Sequence, residues 1–433
     1  MLTQKNRLRL GDEEQFVLNR LAYHCARLYN VGLYSVRQHF FEHKKFLGYA
    51  KNYHECKTND NYGLLISDMA QPILRLVDRN FKSFFGLLKK KKQGSYDAKV
   101  GVPQYKGKEE CFLILVAGRS VRVKDGKVEI GLSKAFKERY KPGVSKLVFS
   151  LPKNITAKTL QEVRILPKRD GQEFEIEYVY KKEVEHKKLN AEKHVSVDFG
   201  LNNFAACFSS IDGSSFLIDG RHIKAINRRY NKEMSRLQSA KDKQRLSHTT
   251  KRMHNLTKKR HDRINDYFNR TAKYLGDYCV RNDVGTIVLG DFAGIKKELN
   301  LGKKNNQNFV QIPYGQFVRK LSSKCEQLGI TIDLMPESHT SKCSFLDQED
   351  VCHQETYKGK RVKRGLFQTA DKQLVNADAN GAANILSKYL KSKHRLKELI
   401  FERVYKGFVN NPVRVKLGDM LSSSSKAHAI ALA

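Results

Sequence analysis

Apolar residues near the N-terminus recur at helical spacing. Leu18, Leu21, Cys25, Leu28, Gly32 and Val36 fall on one face of a helix predicted over residues 12–40. Asp12 with Gln15 reads as a capping-box-like start. A second helix is predicted from about Asp68 to Lys92, with Ile73, Leu76, Val77, Phe81, Phe84 and Leu88 inward. From Gly101 to Lys182 the texture changes to short alternating segments. Val121–Val123, the turn Lys124-Asp125-Gly126 and Val128–Ile130 form a hairpin signature. Lys146–Leu151, Glu162–Leu166 and Glu173–Val179 read as further strands, so a compact β domain follows the helical one. The polar segment Glu183–Lys193 marks a domain boundary.

Beyond it the pattern predicts strands at His194–Val197, Phe204–Ser209 and Ser215–Ile218. A broken helical hairpin follows over roughly 222–282. Strand Thr286–Leu289, helix Pro313–Leu328, strand Ile330–Leu334 and helix Ala377–Leu390 complete the series. This is the element order of a ribonuclease H-like fold, which gathers carboxylates at strand ends around a metal site. No repeat of fixed period is present. No run of 18 apolar residues offers a membrane span, and the N-terminal residues lack a signal-peptide core. Eight cysteines are scattered without a disulfide framework, so a reducing, cytoplasmic setting is expected.

Charge narrows the partners. The 433 residues carry 81 Lys+Arg against 45 Asp+Glu, a net charge of +36. An excess that large repels itself unless a polyanion relieves it, which favours nucleic acid over a membrane-surface role. Residues 221–281 alone hold 18 Lys/Arg against 5 Asp/Glu. Candidate phosphate contacts there are Arg228, Arg229, Arg252, Lys258, Lys259, Arg260 and Arg263. The run Lys89-Lys90-Lys91-Lys92 is a further candidate, read equally well as a solvated helix end.

Three acidic positions carry possible chemistry. Asp198 ends the first strand of the second half, and Asp378 begins the last helix. Either Asp291, after Thr286–Leu289, or Glu337, after Ile330–Leu334, could be a third. Phosphodiester hydrolysis uses hard oxygen ligands for Mg²⁺, and two such ions can activate water and steady the leaving oxygen. Each acid alone has a bland reading as a turn or helix-cap residue. Their ordered combination raises the odds.

Val195-Ser196-Val197-Asp198-Phe199-Gly200-Leu201-Asn202-Asn203 resembles the first RuvC motif of TnpB proteins and their miniature type V-F CRISPR relatives. Asn376-Ala377-Asp378-Ala379-Asn380-Gly381-Ala382-Ala383-Asn384-Ile385 is similar to their third motif. The run Asn300–Pro313 and Glu337-Ser338-His339-Thr340-Ser341-Lys342 resemble one branch of that family. The resemblance is specific over about 194–390. It is looser in front, where Val77–Phe81 and Pro103–Lys106 fit the family's recognition and wedge regions.

The resemblance implies an α/β multidomain chain in which a β-barrel-like wedge domain with an inserted helical recognition domain precedes a RuvC nuclease. The expected division is 1–10 and 96–185 for the wedge and 11–95 for the recognition domain. RuvC would take 191–337 and 376–392, a degenerate zinc-ribbon-like insertion 338–375, and a tail 393–433. It also implies an RNA-guided DNA endonuclease of prokaryotic cytoplasm, serving antiviral defence or a transposon. The guide would be a noncoding RNA and the target double-stranded DNA beside a short T-rich motif. One site using two Mg²⁺, with Mn²⁺ as a substitute, would cut both strands. CRISPR relatives are expected to be homodimers and transposon proteins monomers. Tyr105, Phe112 and the hairpin Arg119–Lys127 are candidates for guide-scaffold contact. The rivals are a guide-free RuvC-type nuclease and a family member that binds without cutting.

Two departures stand out. Of the family's two Cys-x-x-Cys pairs only Cys343, Cys352 and His353 remain, and structural zinc needs four ligands. No zinc is therefore expected, and Phe345, Tyr357 and Phe367 are left to order the insertion. The usual glutamate after the fourth strand is replaced by Gly290-Asp291. Asp291 is nearer Asp198 by topology, since adjacent strands lie about 4.8 Å apart and the fifth strand stands one place further out. Glu337 is preferred because its longer side chain and loop can bend back over the strand ends where Gly290 leaves room, and because Glu337–Lys342 resembles the branch of the family in which the second acid has moved to this loop. Asp291 would then cap the turn Asp291–Gly294. The expected metal-holding set is Asp198, Glu337 and Asp378.

Overall fold

The computed structural model describes residues 1–184, 186–291, 312–393 and 412–420. The chain divides into two compact units, Met1–Glu183 and Val184–Ala433. Among the described residues no helix is long and apolar enough to cross a membrane.

The first unit opens with strand β1 (Leu2–Arg7), followed by helices α1 (Asp12–His43), α2 (Tyr49–Cys56), α3 (Asp60–Gly63) and α4 (Ser67–Lys92). The predicted apolar face of α1 is buried, and α1 packs on α4. Its cap differs from the expected one. Gly11 is the N-cap, and the Glu14 carboxylate accepts from the Gly11 N–H at 3.0 Å, so Asp12 and Gln15 do not form the box. On α4, Ile73, Val77 and Phe81 are buried, whereas Leu76, Phe84 and Leu88 are only half-buried. Ala70, Leu74 and Asp78 fill the inner face instead, the Asp78 carboxylate taking the Tyr49 N–H and the Lys82 ammonium.

Strands β2 (Ile114–Ala117), β3 (Val121–Lys124) and β4 (Lys127–Gly131) follow. Then come helix α5 (Lys134–Tyr140) and strands β5 (Lys146–Ser150), β6 (Leu160–Lys168) and β7 (Glu173–Tyr180). They form two antiparallel sheets, β1-β7-β6-β2 and β3-β4-β5, sharing one core with the helices. The hairpin signature holds. Asp125 and Gly126 take φ of 50° and 66°, the left-handed pair that a two-residue turn needs to match strand twist.

The second unit is built on a six-stranded sheet. Strands β8 (Asn190–Phe199), β9 (Asn203–Ser209) and β10 (Ser215–Asp219) run as an antiparallel meander, and helices α6 (Arg221–Lys243) and α7 (Lys251–Arg281) follow. Strand β11 (Val284–Gly290), helix α8 (Tyr314–Leu328) and strand β12 (Thr331–Met335) come next. Three short strands, β13 (Lys360–Lys363), β14 (Leu366–Gln368) and β15 (Leu374–Asn376), make a separate sheet before helix α9 (Ala377–Ser392) and strand β16 (Val413–Val415). The main sheet has the order β12-β11-β8-β9-β10-β16, with β11 parallel to both β8 and β12.

Both sheet faces are covered, which explains the unbroken burial of β9 and β11. Val195, Val197, Phe199, Ile287 and Leu289 pack with α7 and α8. Ala206, Phe208, Leu217 and Val288 pack with α9. Side chains alternate along a strand, so Ser196, Asp198 and Gly290 belong to the α9 face.

The predicted order of strands and helices after residue 190 is observed. Sequence periodicity missed α2, α3, α5, β2, β13 and the 3-residue strands, none of them longer than the eight residues of α2. Of the run Asn300–Pro313, only Ile312 and Pro313 are described. The turn expected after Asp291 lies outside the described residues, and the 393–433 tail is described only at 393 and 412–420.

Candidate functional site

Asp198 stands at the end of β8 and points under α9. A Cβ built on Gly381 would lie 2.6 Å from Asp198 Oδ2, so only glycine lets the helix backbone approach this carboxylate. Ser196, on the same face, donates to the Ala382 carbonyl at 2.6 Å and docks the helix there. Close packing thus accounts for Gly381-Ala382-Ala383, and that packing is also what seats Asp198.

Asp378 lies in the first turn of α9, three residues before Gly381 and on the same side. It is not the cap. Asn376 caps the helix, its side chain accepting from the N–H groups of Asp378 and Ala379. The freed carboxylate of Asp378 accepts from Asn203 Nδ2 at 2.5 Å through Oδ2, while Oδ1 lies 3.7 Å from the Arg361 guanidinium.

Glu337 follows β12, and its side chain lies over Gly290 at the end of β11. Any Cβ on Gly290 would collide with Glu337 Oε1, 2.1 Å away. That oxygen is buried and has no hydrogen-bond partner among the described residues. Asp291 sits beside it, its N–H extending the strand ladder to the Met335 carbonyl at 2.8 Å. The two alternative third acids are therefore neighbours.

The electrostatics are those of crowded like charges. Burial raises the Asp198 carboxyl well above its ordinary range, and Glu337 and Asp378 push it further, with Arg361 opposing them. Burial and then Asp291 lift Glu337 to about 7. Among the described residues these acids do not close into a ready three-ligand cluster. An orphaned buried carboxylate oxygen and mutual repulsion are nevertheless what a divalent cation relieves, and carboxylates are the donors Mg²⁺ prefers. The residues fit such an ion.

Arg361, on β13, and Asn203, at the start of β9, were not singled out by sequence reasoning. Asn203 closes the Val195–Asn203 motif without standing out in it, Arg361 carries no local signal, and the roles of both become visible only when distant segments meet.

The basic candidates separate into groups. Arg229, Arg252, Lys259, Arg260 and Arg263 line one open groove between α6 and α7, where Glu233 is the single acidic lining residue among the described residues. The Arg260 guanidinium stacks 4.9 Å from the Tyr230 ring centre and donates through Nε to Asn227 Oδ1 at 2.7 Å. Arg228 and Lys258 are on the same helices but do not line this groove. Lys89, Lys90, Lys91 and Lys92 form the exposed last turn of α4 in the first unit.

That unit also carries a stripe along α1 that sequence reading passed over. Arg20 stacks against Phe16, Arg27 against Tyr23 and Arg37 against both Phe41 and Tyr105. Tyr105 is exposed. Phe112 is half-buried under the Lys106 ammonium, and Arg119 is engaged by Asp68.

In the insertion at 338–375, Phe345 and Phe367 are buried, and Tyr357 meets His339 at 3.1 Å. Cys343 is buried while Cys352 is exposed. The buried Glu349 carboxylate ties the loop, accepting from the N–H of Ser344 at 2.7 Å and of Lys358 at 2.9 Å. Asn380 and Asn384 of α9 donate to the Cys343 carbonyl at 2.9 and 2.7 Å.

Comparisons with known proteins agree with the sequence resemblance. Residues 177–296, which include Asp198 and Asp291, match the OrfB_IS605 family model, described as a probable transposase. Residues 314–385, which include Glu337 and Asp378, match the model of the TNB domain of Cas12f1-like proteins. The TnpB-like protein ORF457 of Acidianus two-tailed virus is 26% identical over 402 residues, 86% of this chain and 83% of its own length. The fold is similar to that of Cas12f1 in its solved complex with sgRNA and target DNA. The TM-score is 0.63 at 16% identity, covering 87% of this chain and 83% of that one.

Proposed function

We infer that this chain is a member of the TnpB and Cas12f family and that it is an RNA-guided DNA endonuclease whose cutting site is formed by Asp198, Glu337 and Asp378. The observation that carries the reading is the meeting of acids from three separate elements on the α9 face. Asp198 lies beneath Gly381, Asp378 is released from capping, and Glu337 Oε1 is left unpartnered over Gly290.

The strand order β12-β11-β8-β9-β10 supports a ribonuclease H-like, RuvC-type core, in which such acids gather at strand ends. Two divalent cations held by these carboxylates, Mg²⁺ or in its place Mn²⁺, would supply the charge that activates water and steadies the leaving oxygen. The protein's own groups do the rest. Asn203 fixes one oxygen of Asp378, and Arg361 presents a half-exposed guanidinium where a phosphate would approach the acids. Asp291 serves the strand-end ladder.

The groove between α6 and α7 would take phosphates of a guide–target duplex, with base pairing supplying the sequence recognition. Lys89–Lys92 and the arginine–aromatic stripe of α1 would serve the guide and the T-rich flanking motif. In this assignment residues 11–95 are the recognition domain, 1–10 and 96–185 the wedge, and 338–375 a ribbon-like insertion that helps load the target strand.

The test is cleavage of double-stranded DNA by protein purified with its co-expressed guide, in Mg²⁺, with targets flanked by randomised sequence. Guide-dependent cutting of both strands, lost in Asp198→Ala and Asp378→Ala, is expected. Cutting without RNA would point to a guide-free nuclease. Guided binding without cutting would point to a silent family member.

A further inference from the structure

We infer that Arg414, on the edge strand β16, is a positioning residue for Asp378 and acts through the amide of Asn203. The inference rests on the reading of Asp378 as a metal-holding carboxylate.

The strand register places Arg414 on the correct face. Arg414 pairs with Leu217, Leu217 with Ala206, and Ala206 with Asp198, so these four residues form one row across β16, β10, β9 and β8. Residues in one such row share a sheet face. Arg414 is therefore on the α9 face, and Val415 turns into the opposite core with 1% exposure. The strand is docked rather than loose. Val413–Val415 pairs in parallel with Phe216–Ile218, and the nearby Met420 is buried against α7, its sulfur accepting from Thr271.

Arg414 Nη1 donates to Asn203 Oδ1 at 2.6 Å, and Asn203 Nδ2 donates to Asp378 Oδ2 at 2.5 Å. Asn203 is 7% exposed, so protein groups rather than bulk water decide how its amide points. An amide has one accepting and one donating end, and a half-turn exchanges them. An ionised carboxylate only accepts and a guanidinium only donates, so Arg414 and Asp378 select the same orientation. The guanidinium is steadied from behind by Asp219, 3.8 Å away. Burial of Asp219 disfavours its charge, but the fork of Arg221 and the charge of Arg414 outweigh this and hold its carboxyl below the ordinary range.

The consequence concerns Asp378. With Oδ2 occupied by Asn203, Oδ1 is the oxygen left toward Arg361. Without Arg414 the Asn203 Oδ1 loses its charged donor and Asp378 alone orients the amide, so the side chain that fixes Asp378 Oδ2 is held less firmly. Partners of this kind, one step behind a metal-holding group, change metal affinity or activity by about 10–100-fold when removed.

The test uses the full chain. Mn²⁺ binding is followed by the electron paramagnetic resonance of the free ion, alongside melting temperature and guided cleavage across a Mg²⁺ series. Arg414→Leu keeps an apolar stem and removes the donors. It should weaken Mn²⁺ binding about 10-fold and raise the Mg²⁺ midpoint for cleavage similarly, with target binding within about 2-fold of wild type. Arg414→Lys, which still donates, should recover most of the loss. Adding Arg414→Leu to Asn203→Ala should cost no more than Asn203→Ala alone, because the arginine acts through the amide. Additive losses, or unchanged Mn²⁺ binding in Arg414→Leu, overturn the proposal. If Asp378→Ala binds Mn²⁺ like wild type, the reading of Asp378 fails as well. If Asp378→Ala loses binding and Arg414→Leu does not, the relay alone fails.

Discussion

Glu337 occupies the space that a side chain on Gly290 would fill, although 47 residues separate them, with 2.1 Å between Glu337 Oε1 and the position of a Gly290 Cβ. Two adjacent parallel strands bring this about. Gly290 pairs with Met335, and the chain turns inward two residues later. The absent side chain and the incoming glutamate are a single structural solution.

Glu337→Gln is accordingly expected to abolish cleavage while leaving guide and target binding nearly intact, since a neutral amide keeps the shape and loses the charge. Asp291→Asn should retain substantial activity. Strand-cutting assays on matched guide complexes check this, and a dead Asp291 variant beside an active Glu337 variant reverses the assignment.

Gly290→Ala should displace Glu337 and reduce cleavage by about 100-fold or more, because misplacing a reacting group by about 1 Å costs that much. Target binding measured in parallel should be unaffected. Full activity in this variant would mean that Glu337 has no need of its place over Gly290.

Like-charge crowding predicts a pH dependence in the metal-free protein. The Asp198 and Glu337 carboxyls are both raised, Glu337 from 4.5 to about 7. The unfolded chain then loses these protons first as pH climbs. The favourable contribution of the protonated groups is complete below the unfolded carboxylate range and is lost as pH rises toward 7. Melting in chelator should show wild type losing stability relative to Glu337→Gln across this window. Added Mn²⁺ should restore more at about pH 8 than at about pH 6, because binding needs the ionised carboxylates. A wild-type-to-variant difference that stays constant with pH would contradict the crowding.

The groove makes a quantitative prediction about salt. Replacing Arg229, Arg252 and Lys259 with glutamine together should lower the slope of log affinity against log salt by roughly 2–3, since each phosphate contact contributes about 0.9. Filter binding with the guide–target duplex over a salt series measures it. An unchanged slope would remove these residues from the interface.

In the insertion, Glu349→Ala should cost on the order of 2 kcal/mol, because it strips an acceptor from two buried or half-buried N–H groups. Faster proteolysis within 338–375 and a lower melting temperature are the expected signs. Elemental analysis should find no stoichiometric zinc. One zinc per chain would implicate Cys343, Cys352 and His353 with a further ligand.

The sequence by itself determined the elements with a clear local signal: the buried face of α1, part of that of α4, the Asp125-Gly126 hairpin, and the order of strands and helices after residue 190. It also singled out Asp198 and Asp378, because a strand end and a helix start are local features. Only the tertiary structure decided which groups meet. That Asn376 rather than Asp378 caps α9, that Glu337 and Asp291 lie side by side, and that Arg361 and Asn203 converge on Asp378 with Arg414 behind Asn203 depend on strand order and on which sheet face a residue takes. Hydrophobic period records how each segment buries itself. It does not record which segment lies beside it, and two residues as far apart in the chain as Asn203 and Arg414 come into contact only once the edge strand has docked.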